Sequence, residues 1–381
     1  MSHIHVQSSK EADGLRKDLS GATRFALDCE AAGFHRYSDR LCLLQVTVTG
    51  RTYVVDPLAF DVTDLLRDPL EDPSVEIVMH GADFDLRLVS RDLGIRMRGL
   101  ADTQIYAALI GEEGLGLASL LESRLDVKLS KKYQRADWAK RPLDEEMLEY
   151  AASDTCYLEQ LADLLLEDLT RLGRRAWADE ECRALEEIGD EDHSSDEDLD
   201  LVTRVKGARD LTARQVTALR EALLWRDEIA RERDRAPFRI IGDPPLIEAV
   251  SRQPRRVEEL LDIPGFPKAL AHHDGKELLR RLHQVAQMAD TELTPYPREE
   301  FRGPGRSPPD VDARFKRLKI IRNRVAVELE LPRGTLLSNS VLTDIAREEP
   351  TTREELLAVE GMRQWKADVI GEQLLNEVAR G

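Results

Sequence analysis

Three short segments carry carboxylates at spacings suited to chemistry. Asp28 and Glu30 end a β-rich run, and their side chains project together because residues i and i+2 of a strand share one face. Asp85 follows a predicted strand-to-helix turn, a place where α/β proteins build sites. Tyr150 and Asp154 lie four residues apart in a helical pattern and therefore share one helix face. These five residues are the candidate catalytic site.

Each segment also has a purely structural interpretation. The strand pair fits two solvated acids at a strand exit, Asp83 and Asp85 fit helix caps, and the helix pair fits a surface hydrogen bond. The set is more informative than its parts, because four carboxylates within about 6 Å repel by about 3 kcal/mol per pair at an effective dielectric constant of 20. Such a cluster favours divalent cations, and all-oxygen ligation favours Mg²⁺ or Mn²⁺ over zinc. Two such ions about 4 Å apart suit in-line attack on a phosphodiester.

The composition indicates an acidic, folded chain. It has 381 residues, a formal net charge of −18 and 41% hydrophobic residues, which excludes a fully disordered protein and predicts two to three domains. No apolar run approaches the roughly 18 residues of a membrane span, and the first residues lack the apolar stretch of a signal peptide. The four cysteines show no CxxC pairing, so neither a disulfide scaffold nor a cysteine zinc site is expected. We expect a reduced, cytoplasmic protein without a membrane partner, and a monomer is the simplest oligomeric state.

An α/β domain over residues 1–178 positions the candidate site. Short β-rich runs followed closely by helical patterns predict a mixed sheet covered on its faces. The predicted strands are Arg24–Asp28, Leu41–Val48, Thr52–Asp56 and Glu76–His80. The predicted helices are Asp83–Leu93, Asp102–Ile110 and one long helix from about Glu145 to Leu172.

The rest of the chain is predicted to be helical and repeated. Residues 179–209 are expected to form an acidic linker, since residues 179–200 hold twelve acids and a single base, Arg183. Two small helical domains follow at residues 210–290 and 311–381, separated by a Pro/Gly-rich linker over 291–310. The pattern EELL-x-(I/V)-x-G occurs at both Glu258–Gly265 and Glu354–Gly361, which indicates an internal repeat of about 100 residues.

Substrate contacts are expected from localised basic and aromatic residues, because the chain as a whole is acidic. The candidates before the Tyr150 helix are Lys131, Lys132 and Arg135, together with Lys128, Lys140 and Arg141. A second basic set comprises Arg314, Lys316, Arg317, Lys319, Arg322 and Arg324. Both sets also fit ordinary charged faces, with Arg135 and Arg141 paired to Asp137 and Asp144. Candidates for stacking a terminal base are Phe34, His35, Tyr37 and Phe84, although Phe84 equally fits a core position.

The ordered motifs carry a family resemblance. They are AspCysGlu at 28–30, HisGlyAlaAspPheAsp at 80–85, AspThrGln at 102–104, GlnArgAlaAspTrpAlaLysArgProLeu at 134–143 and TyrAlaAlaSerAsp at 150–154. With these the chain resembles the ribonuclease D family, within the DEDD superfamily of 3′→5′ exonucleases. Tyrosine at position 150 places it with the tyrosine (DEDDy) branch. The two helical repeats resemble HRDC domains.

The resemblance implies a fold, a cofactor and residue roles. It implies a ribonuclease H-like, DnaQ-like α/β exonuclease domain with a mixed sheet, followed by two small all-α HRDC-like domains. Asp28, Glu30, Asp85 and Asp154 would hold two divalent ions, Mg²⁺ or Mn²⁺. Tyr150 would act on the attacking water, mainly by orienting it, since a free tyrosine has a pKa near 10. Cys29 departs from the small or hydroxyl residue common between the two acids, and we expect it to face away from them as core filler.

The expected function is a metal-dependent 3′→5′ exoribonuclease that trims structured RNA, such as tRNA precursors, from a free 3′ end and releases nucleoside 5′-monophosphates. One alternative is a DNA exonuclease with the same site, because nothing in the sequence identifies a contact to the 2′-hydroxyl and the sugar preference stays open. A second alternative is a non-catalytic scaffold that binds RNA or protein. The presence of all five motif residues argues against that scaffold.

Overall fold

A six-stranded mixed sheet forms the centre of the N-terminal domain. The computed structural model describes residues 3–189, 200–297 and 308–380. The strands are β1 (His3–Val6), β2 (Arg24–Ala31), β3 (Leu41–Val48), β4 (Arg51–Val55), β5 (Glu76–Met79) and β6 (Leu100–Asp102), in the order β1-β4-β3-β2-β5-β6. Strand β3 is antiparallel to β2 and β4, whereas the other neighbouring pairs are parallel. The predicted mixed sheet is confirmed, and two further short strands, β1 and β6 with four and three residues, are not among the predicted ones.

Helices cover both faces of this sheet. They are α1 (Asp13–Leu19), α2 (Thr63–Glu71), α3 (Asp83–Leu93), α4 (Thr103–Ile110), α5 (Leu117–Leu125), α6 (Glu145–Thr155), α7 (Leu158–Arg171) and α8 (Arg175–Gly189). Leu43 and Val54 of the sheet share a core with Ala151 and Ala152 of α6. Every residue of the central strand β3 is buried. A strand buried on both faces is rich in apolar residues, and in β3 only Gln45 and Thr47 are polar.

Two helical predictions need correction. The long helix expected over 145–172 is two helices, because the chain breaks at Cys156 and Tyr157 between α6 and α7. The acidic linker expected from residue 179 is not found over residues 179–189, because these residues belong to α8. Cys182 of α8 is buried, and Glu186 accepts a hydrogen bond from the Leu100 backbone at 2.8 Å. This packing against β6 outweighs the charge pattern; residues 190–199 of the predicted linker lie outside the described part.

The two helical domains have the same order of elements. The first contains α9 (Ala213–Glu232), α10 (Pro237–Ile240), α11 (Asp243–Arg252), α12 (Val257–Leu261), α13 (Lys268–His273) and α14 (Gly275–Gln287). The second contains α15 (Pro309–Glu328), α16 (Arg333–Leu336), α17 (Asn339–Glu348), α18 (Arg353–Ala358), α19 (Gln364–Lys366) and α20 (Glu372–Val378). The first three helices of each domain have 20, 4 and 10 residues. The repeated EELL pattern forms α12 and α18. Of the Pro/Gly-rich linker predicted over 291–310, residues 298–307 lie outside the described residues.

The second helical domain packs closely against α8. The rings of Trp177 and Trp365 stack with centroids 4.6 Å apart. Glu180 accepts hydrogen bonds from the backbone of Gln364 at 2.6 Å and of Trp365 at 3.1 Å, which satisfies the free N–H groups at the start of α19. Lys366 pairs with Glu181 at 2.8 Å. The acids of α8 are therefore a docking surface between two domains.

None of the helices in the described ranges combines the length and the low charge needed to cross a membrane.

Replacement of Gly111 by alanine should loosen the second helical domain. Gly111 ends α4 with φ of +91°, and a Cβ atom there would lie 2.3 Å from the Glu330 carbonyl oxygen. Gly50 is the matched control, because it also has positive φ, +75°, but has nothing within 4 Å of its Cβ position. We expect Gly50→Ala to cost about 1–2 kcal/mol of the free energy of unfolding, and Gly111→Ala to cost about 1–3 kcal/mol more. Urea denaturation of the two variants measures this difference; equal losses would show that the contact with Glu330 is unimportant.

Candidate active site

Three carboxylates converge between strand β2 and helix α6. Asp28 and Glu30 pair in register with Gln45 and Leu43 of β3, so they share the sheet face that α6 covers. Asp154 lies in the last turn of α6, and carboxylate oxygens of the three acids all lie within 4.8 Å of one another. A register shift in β2 between Glu30 and the next residue marks a bulge, a feature that often re-aims side chains beside active sites.

Asp85 flanks this group without belonging to it. It lies in the first turn of α3 and is buried. Burial, followed by the nearby charge of Asp85, raises the pKa of the Cys29 thiol well above its usual range. Because side chains alternate along a strand, Cys29 points to the opposite face from Asp28 and Glu30, as expected. Asp85 lies close enough to Asp28 for the charge of Asp28 to raise its pKa, so it borders the cluster. Cys29 packs against the hydrophobic core.

The turn that carries Asp85 is held by Asp102, to which the sequence assigned no role. This fully buried carboxylate accepts hydrogen bonds from the backbone of Gly81 at 3.0 Å and Ala82 at 2.8 Å. It also caps α4 by accepting from the backbone of Gln104 at 2.7 Å. One side chain thus fixes the ends of two helices, including the one that bears the fourth acid. An acid between a short strand and a helix is the sequence signal for such a cap.

The carboxyl groups of the site resist ionisation in the metal-free chain. Removal from water raises the pKa of Asp28 to about 7, opposed by a hydrogen bond from the Cys29 backbone. Removal from water and the nearby charge of Asp28 raise the pKa of Asp154 to about 8. Burial, followed by the charge of Asp28, also raises the pKa values of Glu30 and Asp85 well above their usual range. A cation bound among these groups would favour their ionised forms in place of the protons.

The residues present fit a divalent metal centre. The donor set is all oxygen, the chemistry that Mg²⁺ and Mn²⁺ prefer. Gln45, directly across from Asp28, is fully buried, and neither polar atom of its side chain has a hydrogen-bond partner among the described residues. A buried amide left without a partner beside a carboxylate cluster is typical of a site that a hydrated ion completes.

Tyr150 lies one helical turn before Asp154 and faces the same cluster. Burial, followed by the charges of Asp154 and the strand carboxylates, raises the pKa of the Tyr150 phenol above its ordinary value. Its ring packs against Trp138 and Tyr133, with centroids 6.1 and 5.9 Å away. The phenol therefore stays protonated at neutral pH and can donate a hydrogen bond from a fixed position.

The loop over residues 134–143 supports Tyr150 through a buried ion pair. Arg141 binds both oxygens of Asp56, at 2.7 and 2.8 Å, and donates to the carbonyl of Trp138 at 2.6 Å. Asp56 is only 1% exposed. Arg141 is therefore committed to the fold, contrary to the expectation of a phosphate contact. The alternative partner, Asp144, instead caps α6 through the backbone of Met147 at 3.0 Å.

The predicted substrate-binding residues differ in their availability. Lys132 forms an ion pair with Glu146. Lys131 and Arg135 are exposed, and among the described residues neither lies within 4.0 Å of a carboxylate. The Arg135 guanidinium instead lies 5.5 Å from the ring centroid of Phe34.

The basic set on α15 is largely turned inward. Arg314 and Arg322 are buried and donate to backbone carbonyls within their own domain. Arg317 pairs with Glu377 at 2.6 Å. The expected phosphate groove on this helix is therefore not formed by these three arginines, because they hold the domain together.

The aromatic residues expected to stack a terminal base also differ in their availability. Phe34 and Phe84 remain 38% and 43% exposed, so the core interpretation of Phe84 is wrong. The His35 ring makes a hydrogen bond with the Arg135 carbonyl at 2.9 Å. The Tyr37 hydroxyl donates to Asp227 of α9 at 3.0 Å and so belongs to a contact between domains.

The loop after β2 also docks the first helical domain. Arg36 binds Asp137 at 2.8 Å and Asp234, just beyond α9, at 3.2 Å. The backbone of Ala236 donates to the His35 carbonyl at 3.2 Å. The loop that follows β2 therefore contacts both the 134–143 loop and a helical domain.

Comparison with known proteins gives consistent results for both parts of the chain. Residues 4–170 match the 3'-5' exonuclease family, and residues 215–282 and 311–378 each match the HRDC domain. Ribonuclease D of Shewanella sp. (strain ANA-3) is 30% identical over 293 residues, covering 76% of this chain and 74% of that protein. Ribonuclease D of Pseudomonas paraeruginosa is 29% identical over 353 residues, covering 92% of this chain and 91% of that protein.

One solved structure is similar to this chain over its full length. The crystal structure of Escherichia coli RNase D, an exoribonuclease involved in structured RNA processing, matches with a TM-score of 0.72 at 25% identity. The match covers 100% of this chain and 99% of that one. The similarity therefore includes both helical domains as well as the sheet.

The stability of the metal-free fold should fall as pH rises, and a bound metal should offset this loss. Raised carboxyl pKa values mean that the folded, metal-free chain binds more protons than the unfolded chain between about pH 4 and pH 8, so its stability falls as pH rises through that window. We expect Mn²⁺ to raise the melting temperature more at pH 8 than at pH 5.5, because ion and protons compete for the same oxygens. Thermal melts of the wild-type chain and of an Asp28→Asn/Asp154→Asn variant isolate this contribution. A metal effect that is equal at both pH values, or equal in the variant, would contradict the assignment.

Proposed function

The chain belongs to the ribonuclease D family and is a 3′→5′ exoribonuclease, and from that premise we propose that it trims structured RNA, such as tRNA precursors, from a free 3′ end. The observation that carries the proposal is the convergence of Asp28, Glu30 and Asp154 on one sheet face, with Asp85 beside them. The choice of structured RNA is supported by the similarity to Escherichia coli RNase D over the full length of the chain.

We propose that the four carboxylates hold two divalent ions, Mg²⁺ or Mn²⁺. When bound, the ions supply Lewis acidity that lowers the pKa of a water and stabilises charge on the leaving oxygen. The carboxyl groups would release their protons when the ions bind, and the positive charge of the ions would offset the repulsion among the carboxylates. Asp102 keeps Asp85 in place by holding the turn at the start of α3.

Tyr150 would orient the attacking water. Its protonated phenol donates a hydrogen bond and is a poor general base at neutral pH, because its pKa is raised further above 10. The water oxygen bonds to the terminal phosphorus in line with the bond to the 3′ oxygen of the preceding nucleotide, and that bond breaks. The attacking water loses a proton to solvent and the departing 3′ oxygen gains one. The product is a nucleoside 5′-monophosphate.

The proposal includes a monomer in the reducing cytoplasm. All four cysteines are free, which fits a reducing compartment. The partner is RNA with a free 3′ end.

The function is tested with a 5′-labelled RNA that has a single-stranded 3′ tail. With Mg²⁺ or Mn²⁺ we expect a ladder that shortens from the 3′ end, and no shortening in EDTA or with Asp28→Asn. Asp83→Asn is the matched control, because Asp83 is an exposed acid on the same turn as Asp85 and pairs with Arg87 outside the cluster. It should cleave like the wild-type chain. A matched DNA runs alongside; preferential shortening of DNA, or no metal-dependent shortening at all, would overturn the proposal.

Tyr150→Phe tests the role of the phenol. We expect kcat to fall about 100- to 1000-fold, the usual loss for one fixed hydrogen-bond donor, with little change in KM. The increase in melting temperature on adding Mn²⁺ should stay at the wild-type level, since the carboxylates are intact. An unchanged kcat would remove Tyr150 from the mechanism.

A further inference from the structure

Two exposed phenylalanines meet where the nuclease domain contacts the first helical domain. Phe34 belongs to the loop after β2, and Phe238 belongs to α10. Their ring centroids are 5.5 Å apart, and the residues are 38% and 53% exposed. Single exposed apolar side chains are common on protein surfaces, whereas exposed apolar groups that lie together indicate a binding surface.

Two arginines flank the same pair. The guanidinium groups of Arg135 and Arg239 lie 5.5 and 4.8 Å from the Phe34 ring centroid, and Arg239 also donates to the Phe34 carbonyl at 2.8 Å. Among the described residues, neither arginine lies within 4.0 Å of a carboxylate, although most arginines of this acidic chain do. The patch therefore combines exposed aromatic rings with positive charge that nearby acids leave unneutralised.

The patch lies beside the active site. Phe34 is four residues from Glu30, so their Cα atoms are at most about 14 Å apart. Arg135 is three residues from Trp138, whose ring packs on Tyr150. A strand of substrate that leaves the carboxylate cluster on this side meets the patch within a few nucleotides.

We propose that Phe34, Phe238, Arg135 and Arg239 form a stacking platform for the single-stranded RNA that leads into the active site. A base stacks on the exposed ring of Phe238, which Phe34 supports, while the two guanidinium groups face the neighbouring phosphates. Aromatic stacking with nearby arginine is how proteins hold single strands without reading their sequence. The inference rests on the proposed exonuclease function and gives the first helical domain a direct part in binding substrate. Positive charge beside the rings favours RNA over an apolar protein segment as the occupant.

The test compares Phe238→Ala with Phe238→Trp and Asp234→Asn in the full chain. With a single-stranded 3′-tailed RNA, Phe238→Ala should raise KM about fivefold to a hundredfold, with kcat nearly unchanged, because stacking holds ground state and transition state equally. Phe238→Trp should keep the low KM. Asp234→Asn weakens the domain contact through Arg36 without touching a ring, so it should leave KM close to the wild-type value.

Binding of the same RNA is measured in parallel by fluorescence anisotropy, in the inactive Asp28→Asn background. The dissociation constant should rise with Phe238→Ala by the same factor as KM. An unchanged dissociation constant would overturn the platform, and an equal rise with Asp234→Asn would assign Phe238 to domain docking alone. Absence of cleavage by the wild-type chain would instead overturn the proposed function, while the anisotropy series would still report on the platform.

Discussion

Repulsion among carboxylates held out of water is the constraint on which the rest of this structure depends. Asp28, Glu30 and Asp154 have oxygens within 4.8 Å of one another, and their pKa values are raised. A flexible chain would separate them. They stay together because a central strand, a bulge and a packed helix fix their backbones. Buried contacts made by Asp102 and Arg141 fix the adjoining turn and loop. Because a bound cation relieves this repulsion, the preformed cluster favours tight cation binding.

Backbone geometry explains which parts of the site the sequence predicts. The i, i+2 spacing of a strand and the i, i+4 spacing of a helix are fixed by the chain itself, so each pair of site residues lies on one face as expected. Contacts between distant segments are not encoded locally. Arg141 and Asp56 pair although 85 residues separate them in the chain. Residues 179–189, which the charge pattern predicts to be a linker, form a helix whose Cys182 is buried. Both depend on tertiary packing that outweighs the local pattern.

The two helical domains share a sequence pattern and an order of helices, but different interactions attach them to the nuclease domain. The second packs on α8 through stacked Trp177 and Trp365 and shares the core of the nuclease domain. The first meets the loop after β2 mainly through partly exposed polar contacts such as Arg36 with Asp234. Exposed ion pairs each contribute little to stability. The second helical domain is therefore packed closely against the nuclease domain. The first helical domain keeps polar and aromatic surface exposed beside the active site.

Counting metal ions and protons together tests the metal assignment most directly. Mn²⁺ is titrated into the metal-free chain at pH 7 by calorimetry in two buffers with different ionisation heats, with bound Mn²⁺ counted by electron paramagnetic resonance. We expect two ions per chain, protons released on binding, and loss of both signals with Asp28→Asn, because metal and protons compete for the same carboxylates, whose pKa values are raised. Binding without proton release, or binding unchanged by Asp28→Asn, would contradict it.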